Sequence, residues 1–312
     1  MQRSMISTSL AAVSLRDLAL VQAVHRLGGF TAAARAMHIS PSGLSHQIQK
    51  VEQALEAVLF ERGGRSILPT AAGQRLLAQI DQVLAAAEDL QHAAHNSASA
   101  FGGELRLGVL STLGPYLLPH LIEPFPQTFP GTRLSLSEGK PRGLLRRLHE
   151  GELDAVLAQP AQTPPGVTMQ PLFFEPYDVL MHHSHPLAGR DHVRIEELDD
   201  DAILMAESHG NDPDQDDDER IQDVSLESLA ALVALRGGYT LVPSLARQRL
   251  ASIADVQLAR IEEIDAPPGR HIALYWRQAS PWAQDLETFR ELLRELLASV
   301  PGLQLDAGEI PG

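Results

Sequence analysis

A chain of 312 residues, 44 % of them hydrophobic, is long enough for a small N-terminal domain and a larger second one. It has no cysteine, which excludes disulfides, thiolate catalysis, cysteine-based zinc sites and thiol redox sensing. The net charge of −15 is unevenly divided: residues 1–70 hold seven Lys and Arg against four acids, residues 101–312 hold 17 against 33, so a head that phosphates attract is joined to a body that they repel.

The opening MQRSMISTSL lacks an apolar signal-peptide core. No apolar run reaches the roughly 18 residues of a membrane span, so a cytoplasmic protein is expected. Ser14 and Asp17 have the spacing of a capping box. They open a helix whose Leu15, Leu18, Val21, Val24 and Leu27 share one side, and Gly28-Gly29 ends it. Thr31 is expected to cap a short second helix. Ser40 caps a third, with Pro41 at the first helical position, where a missing N–H costs nothing. Leu44, Ile48, Val51 and Leu55 then form one apolar stripe. Off the stripe stand Ser42, Ser45, His46, Gln49 and Lys50, with Gln47 beside them. All can hydrogen-bond and none is acidic. A short helix, a turn and a second helix with such a face is the pattern of a helix-turn-helix that lays its second helix in the DNA major groove.

Leu59-Phe60 and Ile67-Leu68 flank a glycine turn that carries Arg62 and Arg65, which reads as a hairpin wing. The two arginines suit phosphates or the minor groove; the alternative is an ordinary surface hairpin. Ser40 and Thr70 can each set a helix N-terminus against phosphate. Thr70 opens a long helix from about residue 71 to 95. Its Gly73, Leu76, Ile80, Val83, Ala87 and Leu90 follow the a/d pattern of a coiled coil. That predicts a homodimer, against the alternative of a helix packed on its own domain. Residues 96–103 read as a flexible linker.

From Glu104 the pattern changes. ELRLGVL (104–110) is a strand, followed by an apolar helix to about Phe129. A strand at 132–138, a helix at 142–150 and a strand at 153–158 complete a βαβαβ rhythm, which indicates a parallel sheet covered by helices. Further strands are expected at 177–182, 201–206, 239–242 and 271–277, and helices at 225–235 and 281–297. With the last strand and helix returning to the first half, the result is two α/β lobes with a cleft between them. Ser111 and Thr112 follow the first strand at a helix N-terminus, a natural anion or carbonyl site; they also suit plain N-caps. Lys140 and Arg142 hint at an acidic effector, with surface charge as the alternative. The acidic run 212–219 and HHSH at 182–185 have the residue types of cation sites; a solvated loop and a turn explain them better. No nucleophile elbow accompanies any Ser/His/Asp set, so no catalytic residue is assigned.

LRDL (15–18), GGFTAAA (28–34), HISPSGLSHQI (38–48), LFER (59–62) and LPTAAG (68–73), in that order, resemble the LysR-type transcriptional regulators. LGPYLLPH (113–120), QTFP (127–130), SLESL (225–229) and GGYTLVP (237–243) are most similar to the peroxide sensors of the OxyR type within that family. The resemblance implies a winged helix-turn-helix DNA-binding domain (1–70), a dimerisation linker helix and hinge (71–103), and a bilobed α/β effector domain of periplasmic-binding-protein-like architecture (104–312). Lobe I would hold about 104–176 and 268–312, and lobe II about 177–267. It further implies a double-stranded DNA operator, a homotetramer, no cofactor and no metal, and a small-molecule effector near Ser111, Thr112, Lys140, Gln159, His209 and Ser225. The chain departs from the sensors where it matters most. Asn211 stands at the position of their peroxidatic cysteine, and Pro141 replaces a pocket threonine. An amide is neither a nucleophile towards peroxide nor a disulfide partner. Two other readings stay open: a small-molecule binding protein or enzyme with a vestigial head, and an oxidative-stress regulator with a non-thiol signal.

Overall fold

The computed structural model describes residues 8–61, 67–95, 99–198, 224–262, 267–300 and 302–305. The chain divides into two compact units. The first is Met1–Ser97 with the short segments Arg147–Glu152 and Ala279–Pro281, and the second is the remainder.

In the first unit, α1 is a single turn (Thr8–Ala11) and α2 spans Leu15–Leu27. The capping box forms as the sequence reading has it. The Ser14 N–H donates to Asp17 Oδ2 at 3.0 Å, and the Asp17 N–H donates to Ser14 Oγ at 3.2 Å. Gly28 closes α2 at φ 65°, a left-handed conformation that costs glycine least. Helix α3 (Phe30–Ala36) starts two residues before a cap at Thr31 would place it. Gly29 is its N-cap, without a side-chain hydrogen bond, so Thr31 is no cap but an exposed residue of the first turn. The reason is local: Gly28 turns the chain and Gly29 is extended, so the helix begins at once, with the Phe30 ring edge-on to Phe60 at 6.4 Å.

Helix α4 (Pro41–Ala54) opens where Ser40 Oγ accepts the Gly43 N–H at 3.1 Å. Its Leu44, Ile48 and Val51 are fully buried with Leu20, Val21, Val24, Ala33, Leu59 and Phe60. At roughly 1.5–3 kcal/mol for each large apolar side chain buried, this cluster holds the three helices together. Thr70 caps α5 (Ala71–His95): its Oγ1 accepts the Gly73 N–H at 2.8 Å and donates to the Val58 carbonyl at 2.6 Å. Gly73 permits this approach, since a Cβ there would lie 2.0 Å from the Leu59 carbonyl oxygen.

The predicted stripe of α5 is divided by the fold. Gly73 and Ile80, with Leu77, face the core of their own unit, whereas Val83 and Leu90 are 46 % and 73 % exposed. A helix of 3.6 residues per turn drifts off a 3.5-residue repeat, so one stripe serves two faces in turn.

In the second unit β1 (Glu104–Leu110) is followed by α6 (Gly114–Ile122) and α7 (Phe125–Thr128). The single helix expected to run to Phe129 is thus two, with Pro124 between them. Then come β2 (Arg133–Gly139), α8 (Pro141–His149), β3 (Ala155–Ala158), β4 (Val167–His182) and β5 (His192–Val193). The chain continues through α9 (Leu226–Arg236), β6 (Tyr239–Pro243), α10 (Arg247–Leu250), β7 (Val256–Ile261), β8 (Gly269–Arg277), α11 (Ala283–Ala298) and β9 (Gln304–Leu305).

The sheet is mixed rather than parallel. β1 pairs β2 and β3 in parallel, and β8 runs antiparallel to β3 and β4. β4 is the joint. Its residues Val167–Pro176 pair with β8, and Tyr177–His182 pair with β6 and β7. Only its second half is legible as a strand beforehand, because Pro171 and Pro176 read as breakers. The register shift between Pro171 and Phe173 accommodates the first. The strand expected at 201–206 lies outside the described residues. β8 and α11 return to the first sheet. Phe289 of α11 packs on Phe125 and Phe129, while Leu180, Leu226, Ala230, Val242 and Leu250 form a separate cluster on the second.

Candidate functional site

The outer face of α4 presents Ser42, His46 and Gln49 to solvent, with Ser45 half-buried. Ser40 Oγ, exposed at the helix start, lies 3.3 Å from Ser42 Oγ. These groups offer donors and acceptors on one face and no carboxylate. Lys50 behaves differently. Its Nζ is 3.2 Å from Asp17 Oδ2, so it joins α4 to α2. Burial pushes the Asp17 carboxyl up, but hydrogen bonds from the Ser14 N–H and O–H and from Lys50 outweigh it and hold the group below the usual carboxylate value. Lys50 is therefore first a prop that fixes the angle of α4. Phe60 and Pro69 form an antiparallel bridge at the base of the expected wing; Arg62 and Arg65 lie outside the described residues.

In the second unit, three adjacent parallel strands in the order β2-β1-β3 end side by side. Ser111 follows β1, Lys140 follows β2 and Gln159 follows β3. This is the carboxyl edge where the strand order reverses, the place where open α/β sheets form a crevice. Ser111 is exposed and donates its N–H to the Gly139 carbonyl at 3.3 Å. Lys140 is exposed, and Gln159 is half-buried with its carbonyl accepting the Tyr275 O–H at 3.1 Å. The first turn of α6 already faces a carboxylate: a Cβ on Gly114 would come within 2.5 Å of Glu138 Oε1. Ser225 caps α9, accepting the Ser228 N–H at 3.1 Å, and so belongs with the second sheet. His209, Asn211 and the acidic run 212–219 lie outside the described residues.

Thr112 is neither exposed nor the N-cap of α6, which is Leu113. It is bound from behind by Arg270. Nη1 donates to Thr112 Oγ1 at 2.7 Å and Nη2 to the Thr112 carbonyl at 3.1 Å. Arg270 Nε pairs with Glu175 Oε2 at 2.8 Å, the two side chains being 1 % and 0 % exposed. Glu175 Oε1 in turn accepts the Leu245 N–H at 2.9 Å. Glu175 and Arg270 are direct cross-strand partners, one residue before β4 changes sheets. The network thus ties the β1–α6 turn to the turn after β6 through the joint strand. Tyr116 adds a second tie: it comes from α6 but packs in the cluster on the second sheet. Burial, with Glu227 beside it, pushes its phenol far above the ordinary tyrosine value.

Sequence reasoning missed Arg270, Glu175 and Tyr116. A lone Glu and a lone Arg 95 residues apart carry no local signal; only the antiparallel register brings them together. Among the described residues no group of three or more His, Asp or Glu is placed to hold a metal ion. His182 Nδ1 lies 2.7 Å from Ser184 Oγ, and His183 Nδ1 lies 3.3 Å from the Asp255 carbonyl. No helix of the described residues is long and apolar enough to cross a membrane.

Residues 15–74 match the bacterial regulatory helix-turn-helix protein, lysR family, and residues 98–298 match the LysR substrate binding domain. The chain is 33 % identical over 296 residues to the DNA-binding transcriptional dual regulator OxyR of Escherichia coli K12, covering 90 % of this chain and 95 % of that one. It is 27 % identical over 297 residues to the HTH-type transcriptional regulator EstR of Acinetobacter baylyi, covering 92 % and 98 %. A full-length OxyR variant from Pseudomonas aeruginosa superposes with a TM-score of 0.71 at 26 % identity, over 96 % of this chain and 99 % of that chain. The chain belongs to the LysR family and is a DNA-binding transcriptional regulator with an effector-binding domain.

Proposed function

We propose that residues 1–70 read a double-stranded operator through α4, that 71–103 join two copies as a coiled-coil homodimer, and that 104–312 form a bilobed, periplasmic-binding-protein-like domain that responds to a small molecule. The single observation that carries the reading is the outer face of α4, where Ser42, His46 and Gln49 are exposed without a carboxylate among them. Thr31, Ser40 and Thr70 lie at helix starts suited to phosphate, and Arg62 and Arg65 are assigned to the wing. Exposed Val83 and Leu90, seven residues apart on α5, support pairing of two chains there. Ile122 and Leu235, 57 % and 83 % exposed, support a further contact between dimers and so a homotetramer. The protein acts in the cytoplasm as a regulator and not as an enzyme.

The effector is assigned to the crevice at Ser111, Thr112, Lys140 and Gln159, with His209 and Ser225 as further candidate contacts. It signals without a thiol, because the chain contains no cysteine. Coupling requires that the ligand favour one of two arrangements of the assembly. Duplexes selected from a random pool by the purified chain should share one dyad sequence and protect two half-sites. A chain that shows no site-specific, salt-sensitive DNA binding would refute the reading.

A further inference from the structure

The head carries a cavity that the outer face of α4 does not use. It has a volume of about 320 Å3 and is lined by Arg16, Asp17, Leu20, Ile39, Gly43 and Gln47, between α2 and the start of α4. Its two charged residues are not equivalent. Asp17 is already matched: it accepts the Ser14 N–H at 3.0 Å, the Ser14 O–H at 2.8 Å and Lys50 Nζ at 3.2 Å. Arg16 is exposed, and among the described residues nothing pairs with its guanidinium. With Lys50 and Asp17 cancelling, the cavity keeps one uncompensated positive charge. Gln47 adds a second unmatched group. Its side-chain oxygen is buried and takes no hydrogen bond; a half-turn about the last torsion presents the amide N–H donors at the same place.

A small anion with several acceptor oxygens fits a guanidinium and an amide that both lack partners. The position selects which one. When the recognition helix of a helix-turn-helix enters the major groove, the preceding helices cross the sugar-phosphate backbone. We propose that Arg16 and Gln47 seat a backbone phosphate of the bound duplex, so that α2 registers the head on DNA while α4 reads it. This rests on the DNA-binding reading above.

The test titrates the full chain against a selected operator and against a random duplex of equal length, over a range of salt. Arg16→Ala should weaken both duplexes by the same factor, about threefold to tenfold, and reduce the slope of log K against log salt by about one. Gln47→Ala should act in the same direction with a smaller effect. Arg16→Lys should restore the slope, since the charge is kept. An unchanged slope, or a loss confined to the operator, overturns the proposal. So does Arg16-dependent binding of inorganic phosphate alone with DNA affinity unchanged, which would make the cavity a free-anion site. Arg16 is exposed, so its variants should melt with the wild type; Arg16→Gln replaces any that does not. A wild-type chain without specific DNA binding would sink the functional reading instead, and the two failures are distinguishable.

Discussion

The two units each join their elements with an ion pair, and the pairs differ in burial. In the head, Lys50 and Asp17 meet at 3.2 Å with side chains 43 % and 9 % exposed. In the body, Arg270 and Glu175 meet at 2.8 Å with almost no exposure. A half-exposed pair is screened by water and contributes little. A buried pair contributes little net stability either, yet removing one partner strands a charge in the interior. The head can therefore tolerate change at its prop, and the body cannot tolerate change at its joint.

The largest expected effect follows from breaking the buried pair on one side only. Glu175→Leu should destabilise the body by about 3–5 kcal/mol, because it removes the buried carboxylate that pairs with Arg270 Nε at 2.8 Å. Denaturant unfolding of the full chain, followed by probes in each unit, reads this as an early transition of the body alone. The double replacement Glu175→Leu with Arg270→Met should recover most of that loss. A double variant as unstable as the single one would show that the geometry, and not the stranded charge, is what matters.

Next in size is Gly73→Ala. A methyl group would collide with the Leu59 carbonyl at 2.0 Å, so α5 must shift from the head. A loss of about 1–3 kcal/mol is expected, confined to the head's thermal transition. Ser40→Ala should cost about 1 kcal/mol, through loss of the bond to the Gly43 N–H. Ser40→Gly should cost only a few tenths, a difference that a pair of melting curves resolves.

The smallest effect concerns pH. The folded pKa of Asp17 is lowered, so its contribution is present above the unfolded value near 4 and is lost as pH falls through the folded value. Asp17→Asn should flatten the head's acid-side stability curve below about pH 4 while leaving it unchanged near neutrality to within about 1 kcal/mol. An acid limb as steep in the variant as in the wild type would contradict this assignment.

Most of the head was legible in the sequence, because its information is local. Ser14 with Asp17, Ser40 with Pro41, and Thr70 each announce a helix within four residues, and the Leu44–Val51 stripe says which side is buried. Thr31 failed as a cap because two glycines in a row let the helix begin early. The body was legible where strand and helix alternate, from Glu104 to Ala158. It was not legible at β4, where prolines mask a strand of 16 residues, nor at β5 and β7. The crevice was half-visible. Ser111, Lys140 and Gln159 follow strand ends that pattern alone can place. The Arg270–Glu175–Thr112 network depends on a register between strands 95 residues apart, which no local pattern encodes.

We propose that α4 and its neighbours read DNA and that the body answers a signal without a thiol. The most direct measurement is a footprint of the full chain on its selected operator, over a range of salt, with and without hydrogen peroxide. Two protected half-sites are expected, with an affinity whose logarithm falls linearly with log salt and a pattern that peroxide does not change. A footprint that shifts with peroxide in this cysteine-free chain, or no footprint at any salt, would contradict the proposal.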